Sequence, residues 1–277
     1  MNAYQKNFST SLLAMAALLG VASPAWAQTA AASFAVLGTT ALTCVAPGVI
    51  TGDVGVSPAG AYTPGACSII GTPHVNDPAA ADARMAFLNA YAKLQLTPCT
   101  QTFTQDAAGG NTYTDTTLSL APGVYCFEAA VTFTRTTLTL NGPSTGIWIF
   151  KIGTRAPGAL SGTGFSVVGG NKCNVAWWVD AAASLTNPHF VGSILAGTAI
   201  TLTEGGTLDG NLWAKTAVSI TGTVVTGCAA PNAVSGGLSC KVKKNKHRDD
   251  GDDDDDDDDD DHDGKDRDHK KGKEGHD

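Results

Sequence analysis

A β-solenoid with one α-helix packed alongside is the fold this sequence predicts. Three observations carry it: a repeat of 17 to 18 residues, strand-like alternation within each repeat, and a single helical stretch bounded by prolines. Four segments, 162–168, 180–186, 197–203 and 215–221, start 18, 17 and 18 residues apart. Laid over one another, they place Phe165, Ala183, Ile200 and Val218 at the fourth position and Val167, Leu185, Leu202 and Ile220 at the sixth. The third position holds Gly164, Ala182, Ala199 and Ala217, and the fifth Ser166, Ser184, Thr201 and Ser219. Apolar residues thus alternate with small or hydroxyl-bearing ones, the period-two pattern of a strand with one face buried.

A second block precedes each of the last three segments: 175–179, 192–196 and 210–214. Short pieces such as Gly206-Thr207-Leu208 and Thr223-Val224-Val225 suit a third side. Two or three short strands per period, with glycine at the corners, make one solenoid coil. A coil cannot bury its apolar face alone, so coils must stack.

Taken from the start, residues 1–27 read as an export signal. Lys6 provides the positive end, 12–21 an apolar run, and Ala25-Trp26-Ala27 a small-x-small cleavage site. The run is too short to span a bilayer, so the mature chain is expected to be secreted, extracellular or periplasmic. Residues 28–240 then form one domain, almost neutral, with 9 acids and 8 bases in the first 240 residues. Such a body offers no basic face for nucleic acid.

Between Ser33 and Asn76, short apolar runs at 34–37 and 49–56 are strands that complete or cap the solenoid, with turns at Pro47-Gly48 and Pro64-Gly65. Asp77 followed by Pro78 is a helix start, a carboxylate cap with proline in the first turn. The helix is expected over about 78–96, burying a stripe of Ala81, Met85, Leu88 and Ala92, and Pro98 ends it. Alternation returns in Thr117-Leu118-Ser119-Leu120, Thr132-Phe133-Thr134 and Thr137-Leu138-Thr139-Leu140, and Ile147 to Phe150 is a largely buried strand.

These segments, with Phe34-Ala35-Val36-Leu37-Gly38, Ile50-Thr51-Gly52-Asp53-Val54-Gly55-Val56-Ser57-Pro58 and Leu120-Ala121-Pro122-Gly123-Val124-Tyr125, resemble the microbial ice-binding-like family over roughly 33–228. The resemblance implies a mainly β fold, a right-handed discontinuous β-helix of triangular section with one long α-helix along a side. It also implies adsorption to ice as the function.

Stacked rungs lie about 4.8 Å apart and alternate residues of a strand about 6.7 Å apart, so outward hydroxyls and methyls form a flat grid able to order water. Ice-binding members of the family carry a Thr-Ala/Gly-x-Thr/Asn pattern. Thr198-Ala199-Ile200-Thr201 meets it fully, and Thr216-Ala217-Val218-Ser219 and Thr163-Gly164-Phe165-Ser166 meet it with serine last. Ala181 replaces the first threonine of the rung ending in Ser184, while Thr186, Thr203 and Thr221 extend the same face by two residues. The ice-binding residues expected are therefore Thr163, Ser166, Ser184, Thr186, Thr198, Thr201, Thr203, Thr216, Ser219 and Thr221.

The competing expectation is a non-catalytic extracellular surface or matrix protein, in which threonine serves only as a strand former. Carboxylates of the body are scattered, His74 and His189 sit beside prolines in turn-like sequence, and no nucleophile elbow is present. Neither catalytic residues, nor a metal site, nor a cofactor is expected. Asp53 belongs to the family framework.

Seven cysteines in an exported chain point to disulfides. Their order suggests Cys44 with Cys67, Cys99 with Cys126 and Cys228 with Cys240, without fixing connectivity. Three rungs, about 14 Å, would separate Cys173 from Cys228, beyond the ~7 Å a disulfide tolerates. Cys173 also matches a position where members of the family often have a lone cysteine, and is expected to be a buried free thiol. Residues 241–277, with 17 acids and 10 bases, lack anything apolar to bury and are expected to be a disordered tail. Its charge suits a solubilising tail, and the alternative is loose calcium binding through its many carboxylates or attachment to a charged cell surface.

Overall fold

The computed structural model describes residues 33–45, 47–104 and 110–228. The expected export signal and acidic tail lie outside these residues. Within them the body is a right-handed, discontinuous β-helix of triangular section, built from three parallel sheets of nine, eight and eight strands with one α-helix. The strands come in coils of three, one strand to each sheet, and each coil pairs in parallel with the next.

The stacking order differs from the chain order. Coil 1 begins with Gln101–Phe103 and coil 6 ends with Val224–Thr226. The amino-terminal strands then continue the stack: Phe34–Gly38 pairs with Leu212–Ala214, Ala41–Cys44 with Ala217–Ile220, and Val49–Thr51 with Val224–Thr226. These make coil 7, and Asp53–Val56, Ala61–Thr63 and Ser68–Ile70 make coil 8. Pro73–Val75 adds a last strand to the first sheet. The chain must then return to the far end, and the helix provides that return: its 19 residues span about 28 Å at 1.5 Å per residue.

The helix runs over Pro78–Leu96, as the cap and the prolines predict. Asp77 accepts from the backbone N–H of Ala80 at 2.8 Å and pairs with His74 Nδ1 at 2.7 Å. At the other end the buried Lys151 donates to the carbonyls of Gln95 and Thr97, at 2.8 and 2.7 Å, where the helix dipole favours a cation. Burial pushes the Lys151 ammonium pKa down.

The buried stripe is not the expected one. Ala80, Ala83, Phe87, Ala90, Tyr91 and Leu94 face the solenoid, whereas Met85 is 58% exposed, Ala81 and Ala92 face solvent, and of the expected stripe Leu88 alone packs, half-buried, against the core. Alanine on every side of this helix leaves two apolar stripes with the right spacing. The one carrying Phe87 and Tyr91 buries far more area and wins. Phe87 packs edge-on against Trp213, and the Tyr91 hydroxyl donates to Val179 at 3.1 Å.

This packing explains why the strands 175–179, 193–196 and 212–214 lack alternation. The first sheet is covered on its inner face by the solenoid core and on its outer face by the helix, so both sets of side chains are buried. The other two sheets keep one face to solvent. Inside, aromatic rings stack along the coil axis, with Phe150 and Trp177 centroids 4.0 Å apart and Phe133 and Phe165 4.2 Å apart.

Disulfides join Cys44 to Cys67 and Cys99 to Cys126, as their order suggests. The third joins Cys173 to Cys228, with Cα atoms 5.5 Å apart. Cys173 is therefore not a free thiol, and Cys228 does not pair with Cys240, which lies outside the described residues. Rung counting fails because Cys173 is not in a ladder. Most corners between the third and first sheets are one or two residues long, but 170–174 form a longer excursion containing the 3-10 turn Lys172–Asn174. Lys172 reaches Asp209 of coil 5 at 3.9 Å, marking the direction in which the loop leans.

Phe87→Ala should cost about 3–5 kcal/mol of unfolding free energy and Met85→Ala less than about 0.5, measured by denaturant unfolding. Non-reducing peptide mapping should recover a peptide linking Cys173 to Cys228. Replacing both with serine should cost up to about 4 kcal/mol by loop entropy, since the bridge closes 55 residues.

Candidate functional site

The second sheet presents the only long, regular outward surface among the described residues. Its strands, in stacking order, are Asn111–Thr114, Val131–Thr134, Leu160–Thr163, Ala183–Thr186, Ile200–Thr203, Ala217–Ile220, Ala41–Cys44 and Ala61–Thr63. Inward positions are filled by core residues such as Phe133, Leu185, Leu202 and Ile220. Outward positions fall into rows.

The central row is hydroxyl-bearing in every coil. Thr112, Thr132, Ser161, Ser184, Thr201, Ser219, Thr43 and Thr63 pair one to the next across the whole stack. Seven rung spacings of about 4.8 Å give this row a length of roughly 34 Å. A second row, two residues along each strand, is all threonine: Thr114, Thr134, Thr163, Thr186 and Thr203. Thr221, directly after Ala217–Ile220, continues it. Thr186 and Thr203 lie hydroxyl to hydroxyl at 3.1 Å.

The third row is methyl. Ala130, Ala159, Ala182 and Ala199 immediately precede the strand residues of their coils and accept or neighbour the same ladder bonds. Ala217, Ala41 and Ala61 complete it. The surface is thus a grid of one methyl row and two hydroxyl rows, without a charged side chain in any of them.

Each of the first six coils leaves this sheet through a residue with positive φ: Asp115, Arg135, Gly164, Asn187, Glu204 and Gly222. That left-handed residue ends the strand directly after the threonine row and so trims the face to the same edge in every coil. At this edge the Arg135 guanidinium donates twice to the Asp115 carboxylate, at 2.7 Å each. This bidentate pairing holds the Asp115 pKa below 3.8.

Of the ten expected residues, Thr163, Ser184, Thr186, Thr201, Thr203 and Ser219 lie in the two hydroxyl rows, and Thr221 extends one. Thr198 and Thr216 sit one step behind the methyl row, at the corner towards the first sheet, stacked through a Thr216 N–H to Thr198 carbonyl bond of 3.2 Å. Ser166 is elsewhere. It begins the strand Ser166–Gly169 of the third sheet, paired with Thr137 and His189.

The cause is Gly162. In the ladder Gly162 stands opposite Leu185 and Phe133, so the true partner of Ser184 is Ser161, not Ser166. A Cβ on Gly162 would come 2.7 Å from Leu185. The empty inward slot is filled from the next corner by Phe165, stacked on Phe133 at 4.2 Å. Phe165 therefore mimics an inward strand residue in the sequence while lying past the end of the strand.

Thr112, Thr114, Thr132, Thr134, Ser161, Thr43 and Thr63 were not among the expected residues. A signal for five of them is present in the sequence: a Ser/Thr-x-Thr triplet recurs at Thr112, Thr132, Ser161, Ser184, Thr201 and Ser219. The other outward surface is irregular. On the third sheet one row passes through Ser166, His189, Thr207 and Val224, and the other through Val168, Val191, Asp209 and Thr226. Both histidines lie in strands rather than turns, and among the described residues no cluster of three metal-ligating side chains occurs. Asp53 accepts from the Thr72 N–H at 2.9 Å, a framework role.

A family profile described as Ice-binding-like matches residues 36–226. The chain belongs to this family. An ice-binding protein of Nostoc sp. (strain HG1) is 34% identical over 183 residues, 65% of each chain, so the match spans about two thirds of that relative. An ice-binding protein of Flavobacterium frigoris (strain PS1) is 30% identical over 217 residues, 71% of this chain and 74% of that one. The crystal structure of an ice binding protein from an Antarctic Biological Consortium superposes with a TM-score of 0.63 at 27% identity, covering 72% of this chain and 89% of that chain. No described helix of this ice-binding-like chain is long and apolar enough to cross a membrane.

The Asp115 pairing gives a pH dependence. Its carboxyl titrates lower when folded than when unfolded, so its contribution is present above the unfolded value of 3.8 and is lost as pH falls through the folded one. Melting temperature should fall with acidification below about pH 4, and Asp115→Asn should lessen that slope.

Proposed function

We propose that this ice-binding-like protein is exported and adsorbs to ice through the outward face of its second sheet. The observation that carries the reading is the unbroken hydroxyl row from Thr112 to Thr63, flanked by a threonine row and an alanine row. Adsorption to a lattice requires groups repeating in two dimensions on a surface that does not deform. Interstrand bonding fixes one spacing and strand geometry the other. Threonine is stiff about χ1 because it is β-branched, so little side-chain freedom remains to be lost on contact.

Hydroxyls donate and accept bonds to surface water, while the alanine and threonine methyls limit the competing orientations that water can take. Serine in place of threonine at Ser161, Ser184 and Ser219 keeps the hydroxyl and omits the methyl, so these rungs hold water less firmly. Adsorbed molecules block growth of the ice front between them. No covalent step takes part, and the consequence is inhibition of ice growth or recrystallisation.

Ice recrystallisation inhibition and thermal hysteresis test this reading. Thr201→Tyr places a bulky ring in the middle of the central row and should raise the concentration needed by at least about tenfold, or ~1.4 kcal/mol of adsorption free energy, with an unchanged melting temperature. Wild-type protein inactive at high micromolar concentration would overturn the reading. A chain ending at residue 240 should keep its ice activity. Calcium-dependent binding to charged surfaces, if the acidic tail provides it, should disappear with residues 241–277.

A further inference from the structure

Around the corner from the ice-adsorption face, the third sheet carries a short hydroxyl patch confined to one end of the stack. In coils 1 and 2 its strands are Thr117–Leu120 and Thr137–Leu140, paired Thr117 to Thr137 and Ser119 to Thr139. Their leucines point into the core, and Thr117 and Ser119 are exposed with Thr137 and Thr139 half-buried. In these two coils every outward position within the strands of both solvent-facing sheets bears a hydroxyl. The two patches meet at the corner where Arg135 and Asp115 pair.

Strand propensity does not account for this. Valine is as good a strand former as threonine, and the equivalent rows of the same sheet carry Val168 and Val224 in later coils, together with His189 and Asp209. Nor does the corner need these hydroxyls. Thr116 and Thr136 already bond the carbonyls of Thr114 and Tyr113, at 2.8 and 3.0 Å. The outward hydroxyls are in register, are followed in their rows by Ser166 and Val168 rather than by a charged side chain, and lie beside coils in which both hydroxyl rows of the adjoining face are present.

On the footing of the ice-adsorption reading, we propose that the coil 1–2 end of the third sheet is a second ice-contact patch. Because the section is triangular, the two surfaces are inclined to each other within one rigid body. The molecule then engages two differently oriented sets of ice planes.

The test is adsorption of the fluorescently labelled full chain to a single-crystal ice hemisphere, comparing wild type with Thr139→Tyr, Thr139→Val and Thr201→Tyr, each checked by thermal melting. Thr139→Val keeps the strand and removes only the hydroxyl, so it serves if the bulky variant does not fold. Expected is wild-type fluorescence on two sets of planes, with one set lost in the Thr139 variants and the other lost in Thr201→Tyr. Wild-type plane patterns in both Thr139 variants, with loss only in Thr201→Tyr, would overturn the second patch and leave the main face standing. Unlabelled ice with wild-type protein would overturn both.

Discussion

In-register pairing of successive coils is the constraint on which the remaining structure depends. Parallel ladders hold each strand about 4.8 Å from the next, and in the second sheet the pairing runs residue for residue through all eight strands. One register makes three things at once. Inward, it stacks aromatic rings such as Phe150 on Trp177. At the corners, it aligns the left-handed residues from Asp115 to Gly222. Outward, it turns single threonines into rows. A slip of one residue in any coil would send its hydroxyls to the core and its leucines to solvent.

The three sheets divide the work between stability and surface. The first buries both faces, and its tryptophans anchor the helix: Trp213 donates from Nε1 to the Phe34 carbonyl at 2.9 Å and packs against Phe87. That arrangement fastens the amino-terminal coils to coil 6, where the backbone itself is not continuous. With one side given over to holding the stack together, the second sheet is free to carry a surface of alanine, serine and threonine. The Cys173–Cys228 bridge reinforces the same end by tying the coil 3 corner to the exit of coil 6.

Membership of the ice-binding-like family and the geometry of the second sheet bear on function in different ways. The family match concerns the scaffold, which positions all three sheets alike. The rows from Thr112 to Thr63 concern one surface of it, and their regularity exceeds what the core or the corners demand. The corner threonines make the contrast plain, since Thr136 and Thr223 are buried and bond backbone carbonyls, whereas the row threonines face outward.

Much of this was legible in the sequence because local chemistry determines it. Alternation reports which strand side is buried, Asp77-Pro78 and Pro98 bound the helix, and the 17 to 18 residue period reports the coil. What the sequence by itself determined were therefore the elements, the period and the kind of residue facing outward. Only the tertiary structure decided which residues stand side by side. Phe165 reads as a strand residue until Gly162 is seen to leave its slot open, and the helix stripe is chosen by what Phe87 and Tyr91 pack against. Cys173 finds Cys228 because an irregular corner leaves the ladder on which rung counting relies. Each of these depends on contacts between residues far apart in the chain, which no local pattern encodes.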